Sequence, residues 1–505
     1  MTSNTSPPGT APDQTVPEGP APGTWMYLPP EMRNMILDNV AADSKHPRYG
    51  ALTIVCKEWQ LFLEGPNFRH LHIKQYDLNQ FESIMLDPQK RRLVRHISFD
   101  MELPSRVAPG ASQRSQREGS VAATFGAAIL KLYTILSKWE PDTGLTLELK
   151  ATYLGDAELF PHLYFSSDDV DGDEDILSDD ELPYLDHDGA DDVDPFDLWS
   201  PVPMNTNRDL PQVEAVTRLI IRREFCRGFE PANLGYLVDR LVRLEDMVLE
   251  PWGPLHIASN ILYHEGIYMY FMLSCAKRWK NRTRLSIFQD IPDEYDLFRD
   301  AHQRWDMEIT TTVALLPSLP DVEPRYILTV ALICVSRTLQ HLTIGNMIHA
   351  EQFFGLCEPF CFWPRRETLA LSSKYPGDAG KEKRKECRDL LYTAAVWVQR
   401  MPQLNTLVIW NGGRRNACAF IYRVDSHGKP SITWRGNWRL EFSHRVIEAW
   451  KIIASTTSKG ETRYEHIEHE IRSHAEAIYR LKLPCQVVHP ASLWQMRREA
   501  RNNVV

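Results

Sequence analysis

Short apolar runs recur along most of this chain, at 94–99, 145–149, 216–221, 247–249, 285–288, 339–344 and 404–409, most of them flanked by helical patterns. Runs of this length, rich in Leu, Val and Ile, predict strands. Strands that alternate with helices predict an α/β fold with a parallel sheet. Several runs share one form: Leu, two residues, an apolar residue, a spacer and another apolar residue. Leu339, Leu342 and Ile344 show it, as do Leu404, Leu407 and Ile409; Leu241, Leu244, Met247 and Leu249 give a looser copy.

That form resembles the strand part of leucine-rich repeats, in which each unit presents a short parallel strand and returns through a helix. Regular repeats of that kind recur every ~20–29 residues. Here the gaps between strand centres run from 29 residues (219 to 248) to 72 (147 to 219). Strand-then-helix alternation fits both an irregular leucine-rich-repeat-like solenoid with insertions and an ordinary α/β domain. The expectation taken is the solenoid over residues 73–410. Residues 411–505 change character: 419–424 and 431–435 predict a β-hairpin around a Gly-bearing loop, and Val446, Ile447, Trp450 and Ile453 recur at helical spacing, as do Ile471, Ala475, Ile478 and Leu481. This stretch is expected to be a separate C-terminal α+β unit, capping the array.

The net charge of −10 belongs to one segment. Residues 168–197 hold 15 Asp or Glu and no Lys or Arg, so the remainder carries 57 basic against 67 − 15 = 52 acidic residues. A balance of +5 spread over such a length is no basic face of the kind nucleic acid requires. Residues 168–197, the Pro-rich segment 1–24 and residues 104–120 all read as segments unable to bury enough apolar surface to order themselves, the last two of the three as loops or tails by composition. Ser178 precedes Asp179, Asp180 and Glu181 and resembles an acidophilic-kinase site. Residues 1–24 carry no secretory pattern, and no apolar run approaches the ~20 residues of a membrane helix. Nine cysteines, odd in number and scattered, predict free buried thiols in a reducing compartment. A cytoplasmic or nuclear protein is the expectation.

Residues 25–72 form the most specific segment. Pro29 and Pro30 suit a first helical turn, and Glu31 adds negative charge near the positive end of the helix dipole. Met32, Met35, Ile36 and Val40 recur at helical spacing; after a polar connector at 41–50, so do Leu52, Val55, Cys56, Trp59 and Phe62, with Gly65 and Pro66 expected to end the second helix. Two such helices cannot bury a core alone and must pack on something.

In order, Leu28 and Pro29, Glu31, Ile36 and Leu37, Val55, Cys56 and Lys57, Trp59 and Phe68 resemble the F-box motif. The resemblance implies a three-helix module that binds a Skp-family adaptor and, through it, a cullin–RING ubiquitin ligase, while the region that follows captures a target protein. Leu28, Pro29, Glu31, Met32, Ile36, Leu37, Val55, Cys56 and Trp59 would then be partner-binding residues. The connector at 41–50 is longer than the family norm. Residues 432–438, 480–488 and 492–500 further resemble an uncharacterised domain of fungal F-box proteins, spanning roughly 210–505. The alternative is a non-catalytic scaffold whose F-box-like helices pack on its own α/β region.

Motifs of catalysis were sought and are not met. Gly380–Lys381 lacks the leading Gly and the Ser or Thr of a phosphate loop. No Gly-Xaa-Ser-Xaa-Gly elbow occurs. His469 and His474 are five apart, so on a helix their rings diverge by roughly 140°. His466 with His469, and Cys357 with Cys361, provide only two ligands each at usable spacing. Residues 167–178 lack both end carboxylates of an EF-hand loop. No cofactor, metal or catalytic residue is expected, and the basic run 381–388 reads as a solvated loop or helix start, with a nuclear-import signal or a patch that meets the acidic segment as the sharper alternatives.

Overall fold

The computed structural model describes residues 25–42, 54–104, 111–141, 144–153, 209–224, 231–252, 258–290, 324–374, 381–453 and 461–502, with single positions 52, 202, 204 and 229 between them. The Pro-rich segment, residues 43–50 of the connector, the acidic stretch with Ser178, the calcium-like stretch and Cys226 lie outside the described residues, while residues 41–42, expected in the connector, end the first helix. The chain divides into two compact units, Met1–Arg69 and His70–Val505.

The first unit holds helices α1 (Pro30–Ala42) and α2 (Lys57–Arg69), preceded by a 3-10 turn at Trp25–Tyr27. Pro66 does not end α2, as expected from sequence. The helix continues to Arg69, and the interruption is confined to the one bond that Pro66 has no N–H to make. The module also ends before residue 72, because His70–Lys74 is a strand of the second unit.

The second unit is mixed α/β around one sheet of twelve strands, taken in chain order. They are β1 (His70–Lys74), β2 (His96–Leu103), β3 (Leu145–Tyr153), β4 (Val216–Ile221), β5 (Asp246–Leu249), β6 (Arg284–Phe288), β7 (His341–Gly345), β8 (Thr368–Ser372), β9 (Thr406–Gly413), β10 (Asn416–Val424), β11 (Pro430–Gly436) and β12 (Glu461–His466). β1 through β9 are parallel, β9, β10 and β11 are antiparallel, and β12 returns parallel to β11. Eleven more helices complete the described residues: α3 (Leu78–Ile84), α4 (Pro88–Leu93), α5 (Ala111–Leu136), α6 (Pro231–Arg240), α7 (Ala258–Arg278), α8 (Pro324–Ser336), α9 (Ala350–Gly355), α10 (Lys381–Val398), α11 (His444–Ile453), α12 (His474–Leu481) and α13 (Pro490–Asn502). From α6 to α11 each helix packs on the next.

The register explains why the runs are so apolar. Leu219, Met247, Leu285, Leu342, Leu369 and Leu407 stand in one rank across β4–β9, with Leu249, Ile287, Ile344, Leu371 and Ile409 two residues further on. All are buried. On the opposite pleat, Phe288, Ala370, Val408 and Trp410 are also buried. A parallel sheet covered on both sides has no solvated face to alternate toward, hence the continuous apolar strands.

Three expectations are corrected here. Residues 411–505 are not a separate α+β unit: β10 pairs directly on β9, Phe420 opposite Ile409, so the predicted hairpin extends the sheet. Residues 104–120 are not all loop, since α5 begins at Ala111. Its polar start is made of good helix formers (Gln, Arg, Glu) and continues into a face whose Phe125, Ile129, Leu132 and Leu136 are fully buried. The stretch Gly119–Leu136 is also long and apolar enough to cross a membrane by composition, and α5 packs on β2. Cys334 is exposed rather than buried; Cys275, Cys361, Cys387 and Cys418 are buried free thiols as expected.

Candidate partner-binding surfaces

In the first unit, α1 and α2 pack together and Leu37 and Leu63 are buried. Glu58 joins the pieces. One of its oxygens accepts from the Trp25 indole and from the Arg33 guanidinium, both at 2.7 Å. Above it the Trp25 and Trp59 rings lie 5.3 Å apart. Arg33 and Leu37, four residues apart, therefore share the side of α1 that serves the unit itself. Leu37 was expected to bind a partner; burial assigns it to the unit's interior instead.

The other predicted residues fall elsewhere. Leu28 is half-buried, its N–H bonded to the Trp25 carbonyl, while Pro29 is exposed and its carbonyl accepts the first helical bond from Arg33. Glu31 and Met32 are exposed, and Ile36 is half-buried. Val55 lies in the bend before α2, and the carbonyl of Cys56 starts that helix by accepting from Gln60. Trp59 is half-buried. Tyr27, Met32, Met35, Ile54 and Val55 are all exposed, Met35 at 58% and Ile54 at 85%. The turn at Trp25–Tyr27, α1 and the bend before α2 thus leave large apolar side chains in water, where a partner surface gains most by covering them. Sequence reasoning missed Trp25, Arg33 and Glu58, because no spacing rule links residues 25, 33 and 58.

In the second unit, the chain after β12 folds back over the sheet. Ile467, Ile471, Ala475, Ala477, Ile478, Leu481, Val487 and Val488 bury themselves with Phe288, Ala370, Val408, Trp410, Ala419 and Ile421 of the sheet. Ser473 caps α12 by accepting from the Glu476 N–H, and Lys482 ends it in the left-handed region at φ 41°. The approach to β9 is close: a Cβ on Gly412 would stand 2.8 Å from that of Ala477.

A cluster of buried charge lies at the C-terminal ends of β4–β6 and takes in Glu148 of β3 and His96 at the start of β2. Arg223 donates to Asp290 at 2.6 Å and to Glu499 of α13 at 2.8 Å, and its guanidinium lies 4.5 Å from the Trp252 ring. The other Asp290 oxygen meets His474 at 3.0 Å. Arg222 and His96 flank Glu148 at 2.5 and 3.0 Å. Glu250 accepts from Ser492, from the His489 N–H at 2.6 Å and from the Arg223 N–H at 3.3 Å.

Burial pushes the carboxyls of Asp290 and Glu148 up, but the adjacent cations more than offset it and hold each at about 2. Arg223 and His474 act on Asp290, and His96 and Arg222 on Glu148. Glu250 has only neutral donors in direct contact, so burial prevails and raises it to about 7. Burial and Arg222 lower His489 to about 4. These groups neutralise one another and anchor the C-terminal segment. Among the described residues no group of three or more His, Cys, Asp or Glu is placed to hold a metal ion.

A comparison with curated proteins finds no match. Residues 279–489, less than half of the chain, match a family described as a family of unknown function (DUF6546). That match takes in β6–β12 and α12 and stops one residue before α13.

Proposed function

We propose that this chain is a non-catalytic, substrate-recognition adaptor of a cullin–RING ubiquitin ligase, working in the cytoplasm or nucleus. Its F-box-like unit binds a Skp-family adaptor, and its α/β unit, an irregular leucine-rich-repeat-like solenoid, captures a target protein. The observation that carries the reading is the exposure of Tyr27, Met32, Met35, Ile54 and Val55 on a two-helix unit whose sequence follows the F-box order. Consecutive strand order from β1 to β12, with a row of helices in the same order, supports the solenoid.

Co-purification with a Skp-family adaptor tests the proposal, comparing the native chain with a Leu28→Ala, Pro29→Ala double variant. The native chain is expected to bring the adaptor down in equimolar amount and the variant to lose it. Absence of adaptor from a folded native chain would return the helices to a purely internal role.

A further inference from the structure

Helix α10 opens on a run of cations. Lys381, Lys383 and Arg384 stand in its first turn with only Glu382 against them, and Lys385 and Arg388 follow. The positive end of a helix dipole favours carboxylates and repels cations, so this placement weakens the start of α10 unless an anion lies over it. Lys381, Arg384, Lys385 and Arg388 are spaced i, i+3, i+4, i+7 and form one stripe, while Cys387, Leu390, Leu391 and Ala394 form the buried side. Tyr392 extends the stripe by one turn, and there the Arg445 guanidinium of α11 lies 3.6 Å from the ring centre. Lys381, Lys383 and Lys385 are all exposed. Lys385 meets Glu382 only at 3.9 Å, with both side chains largely in water, where such a pair is worth little. Among the described residues no carboxylate pairs with Lys381 or Lys383.

The chain carries a segment of matching charge. Residues 168–197 hold 15 Asp or Glu and no Lys or Arg, and account for the whole negative balance. Strands β1–β9 all run parallel, so the chain leaves β3 and β8 at the same edge of the sheet, and α10 starts at that edge. Described residues flank the acidic segment at Tyr153, the last of β3, and at Val202, bridged to Phe229 between β4 and α6. From β3 to β8 is roughly 24 Å at about 4.8 Å per strand. Asp180, near the middle of the segment, is about 20 residues or more from either anchor, and ~20 residues extended span about 65 Å. The stripe is therefore within reach in the same molecule, and a tether of this kind holds the segment at an effective concentration on the order of millimolar.

We propose that the cationic stripe of α10 is the docking surface for the chain's own acidic segment, residues 168–197. The contact is electrostatic and reversible, and it covers the stripe against other anions until the segment is released. The inference goes beyond the adaptor reading and does not rest on it.

Coupling the full chain with a zero-length carbodiimide, which joins a carboxylate to an amine already in contact with it, tests the proposal. Mass spectrometry of the digested monomer is expected to find links from residues 168–197 to Lys381, Lys383 or Lys385. Their yield is expected to be roughly tenfold or more that of links to Lys277 and Lys280, which are also exposed but stand at the opposite edge, where β6 begins. At about 1 M salt, where charges are screened beyond about 3 Å, that excess is expected to vanish. Arg384→Glu with Arg388→Glu reverses half the stripe and keeps every acceptor lysine, and the yield is expected to fall severalfold. Equal yields at the two edges overturn the proposal, and so does an excess that ignores both salt and the double variant. Links found only in a covalent dimer would make a second copy the occupant and overturn it as well. Should the double variant fail to fold, the comparison of edges and the salt dependence decide the matter on the native chain. Adaptor co-purification plays no part in this readout, so failure here and failure of the adaptor reading are separable.

Discussion

The first unit and the C-terminal segment use similar material to opposite ends. Both are short helices with an apolar residue at every third or fourth position. In the C-terminal segment Ile471, Ile478, Leu481, Val487 and Val488 are sealed against the sheet. In the first unit Met32, Met35, Ile54 and Val55 remain in water, and the helices are joined through the Glu58 carboxylate with only Leu37 and Leu63 buried among the described residues. A segment that meets its partner surface within the same chain can be fully apolar. On the proposed reading the first unit awaits another protein and must fold with its apolar face open, and a polar staple such as Glu58 lets it do so.

The comparison breaks first at the ion cluster. Asp290→Ala leaves Arg223 buried with its main counter-charge gone, and is expected to cost about 3–5 kcal/mol in urea unfolding. Ile478→Ala, which opens a cavity in the apolar seat of α12, is expected to cost about 2–5 kcal/mol. A loss below that range would show the segment to be loosely seated.

A smaller and directional effect comes from Glu250. The free carboxyl loses its proton near 4.5 while the folded one holds it to about 7, so between those values the folded state binds more protons. Its contribution to stability therefore falls as pH rises from about 4.5 to about 7 and levels off above. Glu250→Gln is expected to remove that slope when urea midpoints are compared across the window. Asp290 and Glu148, held at about 2, act in the opposite sense: their contribution is present above the ordinary carboxylate range and lost as pH falls toward 2. The smallest effect on stability belongs to the first unit. Met32→Asp with Met35→Asp is expected to change it by less than about 0.5 kcal/mol, while abolishing adaptor co-purification. A large destabilisation would place those side chains in a core instead.

Much of the fold was legible because most strands announce themselves locally. The run at 216–221 matches β4 end to end, and those at 285–288 and 339–344 lie within a residue or two of β6 and β7. β1, β8 and β12 were not foreseen. His70–Lys74 and Glu461–His466 are the sheet's edges, with polar residues that carry no apolar run, and Thr368–Ser372 is five residues of small and medium side chains. Of the candidate partner-binding residues, Pro29, Glu31, Met32 and Val55 are exposed, Leu28, Ile36, Cys56 and Trp59 are half-buried and Leu37 lies inside, while the exposed Tyr27, Met35 and Ile54 were not among those named. The charge cluster was not foreseen at all. Asp290 and Glu499 lie 67 and 276 positions from Arg223 in sequence, and nothing local marks any of them as buried.

By itself the sequence determined the strand–helix alternation, the confinement of the acidity to one stretch and the order of apolar residues at 28–59. These are consequences of local periodicity and composition, which a chain carries whatever it packs against. Only the tertiary structure decided that residues 411–505 extend one sheet, that the C-terminal helices close its face and that Glu499 of α13 meets the buried Arg223. Each of those depends on contacts across tens or hundreds of residues, where burial rather than neighbouring sequence sets which side chain is core, which is exposed and which carboxyl keeps its proton.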